Sequence, residues 1–170
     1  MTQKIIASDE MALQTFHATQ PKERGSYYED FEVGKKFDHH WGRTITASDN
    51  SVFSTITLHF NPIYFNDEYA QAHHKKGIVV NPYLVFSIVF GLSVEDLSEK
   101  GGAFLGVENL HFKRDVYVGE TLRARSEVVS MRLSSREQFG IVTWKTLGLD
   151  EKNEVVVNFE RTNMVLRRDV

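Results

Sequence analysis

The sequence has 170 residues, the length of a single domain, and can bury a core without staples. Hydrophobic residues make up 41% and charged residues 25%, the formal net charge is −3, and no run of Lys or Arg exceeds two. This balance is that of a globular protein, and it excludes broad nucleic-acid binding, which needs a clustered basic face.

There is no cysteine, so disulfides, thiolate nucleophiles and zinc–thiolate sites are excluded. Residues 1–24 read as a polar leader, in which Met11, Leu13 and Phe16 support a short helix after Ser8. The leader has no apolar stretch of signal-peptide length. With the absence of cysteine, this sets a cytoplasmic location as the expectation. Residues 25–170 form one domain.

From Tyr28 to Gly34 the chain reads as an extended segment closed by a glycine turn. His39 to Thr46 reads as a strand. Thr46-Ala47-Ser48-Asp49 then supplies a capping threonine with an acid three residues later, the signature of a helix start. Val52, Phe53 and Ile56 follow at helical spacing. The helix must stop near Leu58, because Asn61 precedes Pro62 and is pushed away from helical angles. Asp67 to His73 reads as a short helix, broken by Gly77.

Asn81-Pro82 opens the longest apolar stretch, with proline tolerated at the first helical position. The spacing predicts a helix from Pro82 to Leu97, apolar nearly all round and therefore buried. It is too short and too interrupted to span a membrane. Gly101-Gly102 reads as a turn, Phe104 to Phe112 as a strand, and Val118-Gly119-Glu120 as a turn. Thr121 to Arg132, Ile141 to Leu149 and Val155 to Leu166 complete a run of strands. Strands following a buried helix predict an α+β domain with an antiparallel sheet.

In this order, several segments resemble the MaoC-like dehydratases of the hot-dog superfamily. They are Tyr28-Glu29-Asp30-Phe31-Glu32-Val33-Gly34, then Gly42-Arg43-Thr44-Ile45-Thr46 with Asp49 and Phe53. Next come Asn61-Pro62-Ile63-Tyr64 with Asp67 and Tyr69-Ala70, and last Val116-Tyr117-Val118-Gly119-Glu120-Thr121-Leu122. The resemblance spans residues 27–168 and is nearest to the branch acting on mesaconyl-CoA and related branched dicarboxylic thioesters. It implies an antiparallel sheet wrapped round a central helix, and a homodimer or higher homo-oligomer joined at sheet edges with sites at the interface. It also implies an acyl-CoA substrate, with coenzyme A as part of that substrate and no separate cofactor.

The family's R-specific enoyl-CoA hydratases carry Asp-x-Asn-Pro-x-His, in which the Asp and the His flank a water that adds across the double bond. This sequence keeps Asn61 and Pro62. It has His59 at the Asp position, Tyr64 at the His position, and Leu58 where a glycine often stands. Hydration needs a base for water, a donor for the α-carbon, and dipoles for the enolate oxygen. His59 can serve as the base, because imidazole titrates near neutrality. Tyr64 can donate a hydrogen bond to water or thioester. Alternatively, both merely line a binding pocket. Asn61 is expected to brace the turn.

The family uses the start of its central helix for the enolate oxygen, where free N–H groups and the helix dipole favour negative charge. Pro82 has no N–H, so the donor would be Tyr83, Leu84 or the Asn81 side chain. Asn81 is equally an N-cap. Arg43, Lys113 and Arg114 are candidates for a substrate carboxylate or coenzyme A phosphates, and Lys75-Lys76 for the nucleotide end. His39-His40 and His73-His74 lack metal-ligand spacing, so no metal is expected. The sequence thus predicts a hydratase or dehydratase of acyl-CoA thioesters. A hot-dog thioesterase, or a non-catalytic acyl-CoA binding subunit with a degenerate site, remain as alternatives.

Overall fold

A computed structural model describes residues 24–168. The expected leader helix lies outside them. The segment after Tyr27 opens not as extended chain but as a 3-10 turn, Tyr28–Asp30. The Asp30 carboxylate accepts the Tyr27 N–H at 2.9 Å and closes that turn. Phe31 is thereby delivered into the core, 5.3 Å from the Trp144 ring.

Strand β1 spans Lys36–Thr44 and helix α1 spans Ala47–Ile56. β1 begins earlier than expected and stops before Thr46, because Thr46 is committed to capping. Its hydroxyl accepts the Asp49 N–H at 3.1 Å, and Asp49 accepts the Thr46 N–H at 2.9 Å. A 3-10 turn, Pro62–Tyr64, and helix α2, Asp67–Ala72, follow.

Helix α3 spans Pro82–Leu92, and a single turn, α4, spans Val94–Leu97. The continuous helix expected to Leu97 is therefore broken at Ser93. The Ser93 hydroxyl donates to the Phe90 carbonyl at 2.8 Å, competing with the next turn of backbone bonds. Nor is α3 buried all round. Leu84, Val85 and Val89 are buried, whereas Tyr83, Ser87 and Gly91 form an open stripe.

The remaining strands are β2 (Gly101–Phe112), β3 (Thr121–Leu133), β4 (Phe139–Leu149) and β5 (Val155–Leu166). The expected turn at Gly101-Gly102 is instead the start of β2, with Gly101 opposite Val165. A Cβ on Gly102 would lie 2.7 Å from the Phe139 ring, so close packing explains that glycine. All pairings are antiparallel, in the order β1-β3-β4-β5-β2.

This α+β sheet wraps the inner face of α3. Val85 and Val89 meet Leu122, Ala124, Val157 and Phe159 in the main apolar core. A second cluster gathers Phe31, Leu97, Val128, Val142 and Trp144 beyond the end of α3. β1 and β2 are the open edges.

Candidate active site

The site is built outward from the end of α1. The Leu58 N–H donates to Thr55 O at 3.2 Å and the His59 N–H to Ser54 O at 2.8 Å. This pair of bonds is a Schellman close, whose pivotal residue takes the left-handed conformation. Leu58 has φ of 59° and fills that role where glycine is usual. The turn throws His59 back toward the helix it has just left.

Two asparagines then tie three segments together. The Asn50 side-chain amide donates to Tyr64 O at 2.9 Å and to Val79 O at 3.0 Å. Its carbonyl oxygen accepts the Asn81 N–H at 2.8 Å. Asn81 is fully buried and caps α3, accepting the Tyr83 N–H at 3.0 Å. Its Nδ2 then faces the Ser54 hydroxyl and His59 Nδ1, each at 3.1 Å. Asn61 braces the Asn-Pro turn, its side chain accepting the Ile63 N–H at 3.2 Å.

These bonds place the Asn-Pro turn against the mouth of α3. Val79 N–H donates to Ile63 O at 3.2 Å, and Val80 N–H to Val116 O at 2.8 Å. The connection after β2 thus joins the same assembly. A cleft of about 690 Å³ opens there, lined by Asn61, Tyr64, Val80, Pro82, Phe112 and Asp115 among others. Its walls mix apolar side chains with a few convergent polar groups, the usual make-up of a small-molecule site. Burial pushes the Tyr64 phenol above its ordinary 10.0, and the Asp115 carboxylate and Tyr83 add to the rise. The His59 ring lies 5.3 Å from the Tyr83 ring, whose neighbour at 6.4 Å is Phe112 on the cleft wall.

The cations expected from the sequence divide. Lys75, Lys113 and Arg114 line the cleft. Lys75 pairs with Asp115 at 2.6 Å, and that bond holds its ammonium above the ordinary range. Arg114 is clamped by Glu120 and Asp150, both at 2.7 Å. Lys113 makes no ion pair among the described residues. Arg43 lies elsewhere. Asp49 holds its guanidinium at 2.7 Å, and it borders a shallow depression with Trp41, Leu84 and Ser87.

The donors expected for an enolate oxygen are already engaged. Leu84 N–H donates to Asn81 O at 2.9 Å, Tyr83 N–H to Asn81 Oδ1, and Asn81 Nδ2 to its two neighbours. The Leu84 side chain belongs to the core. The histidine pairs separate as strand and turn geometry require. His39 is buried while His40 is exposed, and His73 stacks on Tyr69 with ring centroids 4.1 Å apart. Among the described residues the one group of potential metal ligands is Glu120, Asp150 and Glu151, and Arg114 pairs with the first two.

Sequence reading missed Asn50, Ser54 and Asp115. Asn50 and Ser54 sit inside α1 at helical spacing, four apart on the face opposite Val52 and Ile56. Beyond that spacing the sequence carries no signal for either, because their partners lie far along the chain. Asp115 carried none, since it reaches the cleft only through the pairing of Val80 with Val116.

The family model described as mesaconyl-CoA hydratase matches residues 7–170. The chain is 38% identical over 150 residues to a mesaconyl-CoA hydratase of Haloarcula marismortui, covering 87% of this chain and 42% of that protein. It is 32% identical over 145 residues to a beta-methylmalyl-CoA dehydratase of Chloroflexus aurantiacus, covering 85% and 41%. The chain therefore spans about two-fifths of the length of the curated relatives it matches.

Among solved structures, it superposes on a MaoC-domain protein of Chloroflexus aurantiacus with a TM-score of 0.83 and 30% identity, over 89% of this chain and 43% of that one. An (R)-hydratase of A. caviae matches with a TM-score of 0.67 and 26% identity, over 81% and 98%. The sheet wrapped round α3 is thus the hot-dog fold. The chain belongs to the mesaconyl-CoA hydratase family.

Proposed function

We propose that this chain binds an enoyl-CoA thioester in the cleft between the Asn-Pro turn and the mouth of α3, and adds water to it or removes water from the corresponding hydroxyacyl thioester. Mesaconyl-CoA, or another branched dicarboxylic thioester, is the proposed substrate. The observation that carries this reading is the lacing of Asn50, Asn81 and His59. It fixes the turn, the helix cap and the imidazole in one frame beside the cleft.

In this reading His59 and Tyr64 meet the reacting groups, and Asn61 holds the turn. Lys113 and Lys75 at the rim suit the phosphates of coenzyme A, which attract lysine as a point charge. No separate cofactor is required. We place the protein in the cytoplasm. No helix of the described residues is long and apolar enough to cross a membrane.

We further propose that a second copy completes the molecule. The edges β1 and β2 are open to pairing, which would satisfy their free backbone groups. Phe104 on β2 is 54% exposed, and Tyr83 on the open stripe of α3 is 52% exposed. These apolar surfaces suit burial against another subunit.

One observation favours a second reading, a non-catalytic acyl-CoA binding subunit with a degenerate site. The chain carries His59 and Tyr64 where the hydratase motif has Asp and His. A thioesterase finds less support, because the cleft carboxylate, Asp115, is already paired with Lys75.

One assay separates the three. The protein is incubated with crotonyl-CoA and with mesaconyl-CoA while the conjugated enoyl absorbance and free thiol are followed. Loss of enoyl absorbance without thiol is the expected result. Thiol release indicates a thioesterase, and binding without either change indicates the binding unit.

A further inference from the structure

The hydrogen bonds around Asn81 run in one direction. Backbone N–H groups can only donate, so the Tyr83 N–H fixes which end of the Asn81 amide is oxygen. The other end is then the NH2 group, and it lies 3.1 Å from His59 Nδ1 and 3.1 Å from the Ser54 hydroxyl. An NH2 group accepts nothing, so His59 Nδ1 must be the acceptor. The ring hydrogen is left on Nε2, which has no partner among the described residues.

The frame behind this is equally determined. The Asn81 N–H fixes the Asn50 carbonyl oxygen, and the Asn50 NH2 group donates to two backbone carbonyls. The amide of neither asparagine can turn without setting donors against donors.

At the same time, the backbone donors of the helix mouth are used up. Tyr83 and Leu84 N–H both donate within the chain, and Pro82 has none. A thioester oxygen arriving there finds no free backbone N–H on Pro82, Tyr83 or Leu84, and the imidazole Nε2–H offers a side-chain donor in their place.

We propose that Asn81 is a positioning residue that fixes His59 with its hydrogen on Nε2, so that His59 meets the thioester oxygen as a hydrogen-bond donor and not the water as a base. The inference rests on the proposed hydration in this cleft. As the water oxygen bonds to the β-carbon its O–H bond breaks and the electron pair of the double bond moves onto the thioester oxygen; when that pair returns, the α-carbon takes up the proton that the water released, so that one water is added in sum. A preplaced donor stabilises that charge. His59 gains and loses no proton in the step. A histidine base in the same place would need a free lone pair on Nε2, which this tautomer does not offer.

Two measurements on the full chain test this separately. The first needs no activity. Nitrogen-15 NMR of the ligand-free protein at about pH 8, above the usual imidazole range, assigns the His59 tautomer. Hydrogen on Nε2 is expected in the parent. In Asn81→Asp the carboxylate still caps Tyr83 and accepts from Ser54, but now calls for hydrogen on His59 Nδ1, so the tautomer should reverse. Hydrogen on Nδ1 in the parent overturns the proposal.

The second compares His59→Gln with His59→Ala in enoyl-CoA hydration. A glutamine amide can donate near the Nε2 position but cannot act as a base. His59→Gln should keep the rate within roughly tenfold of the parent, while His59→Ala should lose about 10²–10³, the usual effect of removing one such donor. A glutamine variant as inactive as the alanine variant overturns the donor role. If the parent hydrates nothing, the hydratase reading fails, and the NMR result still decides the tautomer.

Discussion

Leu58 holds a backbone angle that suits glycine, φ of 59°, at the close of α1, and its side chain is 73% exposed. A left-handed residue with a Cβ costs roughly 1–2 kcal/mol, and no buried contact of Leu58 offsets that cost. Leu58→Gly should therefore raise stability by up to about 1 kcal/mol, the balance left after glycine's extra unfolded-state entropy. A urea transition moved to higher concentration is the expected result. Asn50 is the opposite case. Its buried side chain makes three hydrogen bonds and joins three segments. Asn50→Ala strands one backbone N–H and weakens two carbonyls, so a loss of about 2–4 kcal/mol is expected from equilibrium denaturation. The difference in legibility between these residues has a physical origin. His59, Asn61 and Tyr64 are fixed by a local turn, and their spacing is visible in the sequence. Asn50 acts across 31 residues, onto Asn81, and nothing local marks it.

At the scale of elements, local rules succeeded where one turn decides the outcome. The capping box of α1 and the proline start of α3 both stand where the sequence puts them. They failed where a partner from far along the chain decides. The break at Ser93 depends on a hydroxyl returning to its own helix, with the Arg161 guanidinium donating to Ser93 O at 3.2 Å from β5. Gly101-Gly102 of β2 reads as a turn but serves close packing, and Gly148 of β4 does the same. Gly148 admits Val89, since a Cβ there would lie 2.6 Å from Val89 Cγ2 and 2.7 Å from Val157 Cγ1. Gly148→Ala should force α3 off the sheet and cost about 1–3 kcal/mol, the usual penalty of overpacking. A matching fall in the denaturation midpoint checks this.

Over the whole molecule, the sheet carries a buried polar layer beyond the end of α3. His39 Nδ1 meets Asp96 at 2.5 Å, His39 Nε2 meets Ser126 at 2.9 Å, and Ser126 meets Thr146 at 2.9 Å. Burial pulls the His39 imidazole below its ordinary 6.5, outweighing the opposing pull of Asp96, and Arg161 lowers it further. The unfolded chain therefore binds a proton that the fold does not. The His39 contribution is complete above the unfolded value of 6.5 and is lost as pH falls from there toward the lower folded value. Unfolding free energy should decline as pH falls below about 6.5, and His39→Gln should flatten that slope. A pH series of urea melts on both proteins reads this directly. Arg161 lies in the same layer, fully buried, with its guanidinium 4.4 Å from the Phe90 ring and its basicity brought down to about 10 by burial.

Hydration by this chain requires acyl-CoA to enter the cleft where the Asn-Pro turn meets the mouth of α3. Backbone-amide NMR during titration with crotonyl-CoA and mesaconyl-CoA tests that most directly. The largest and earliest shifts should fall on His59, Tyr64, Asn81, Tyr83 and Lys113. Shifts confined to the outer face of the sheet, with these five amides unmoved at saturation, would contradict it.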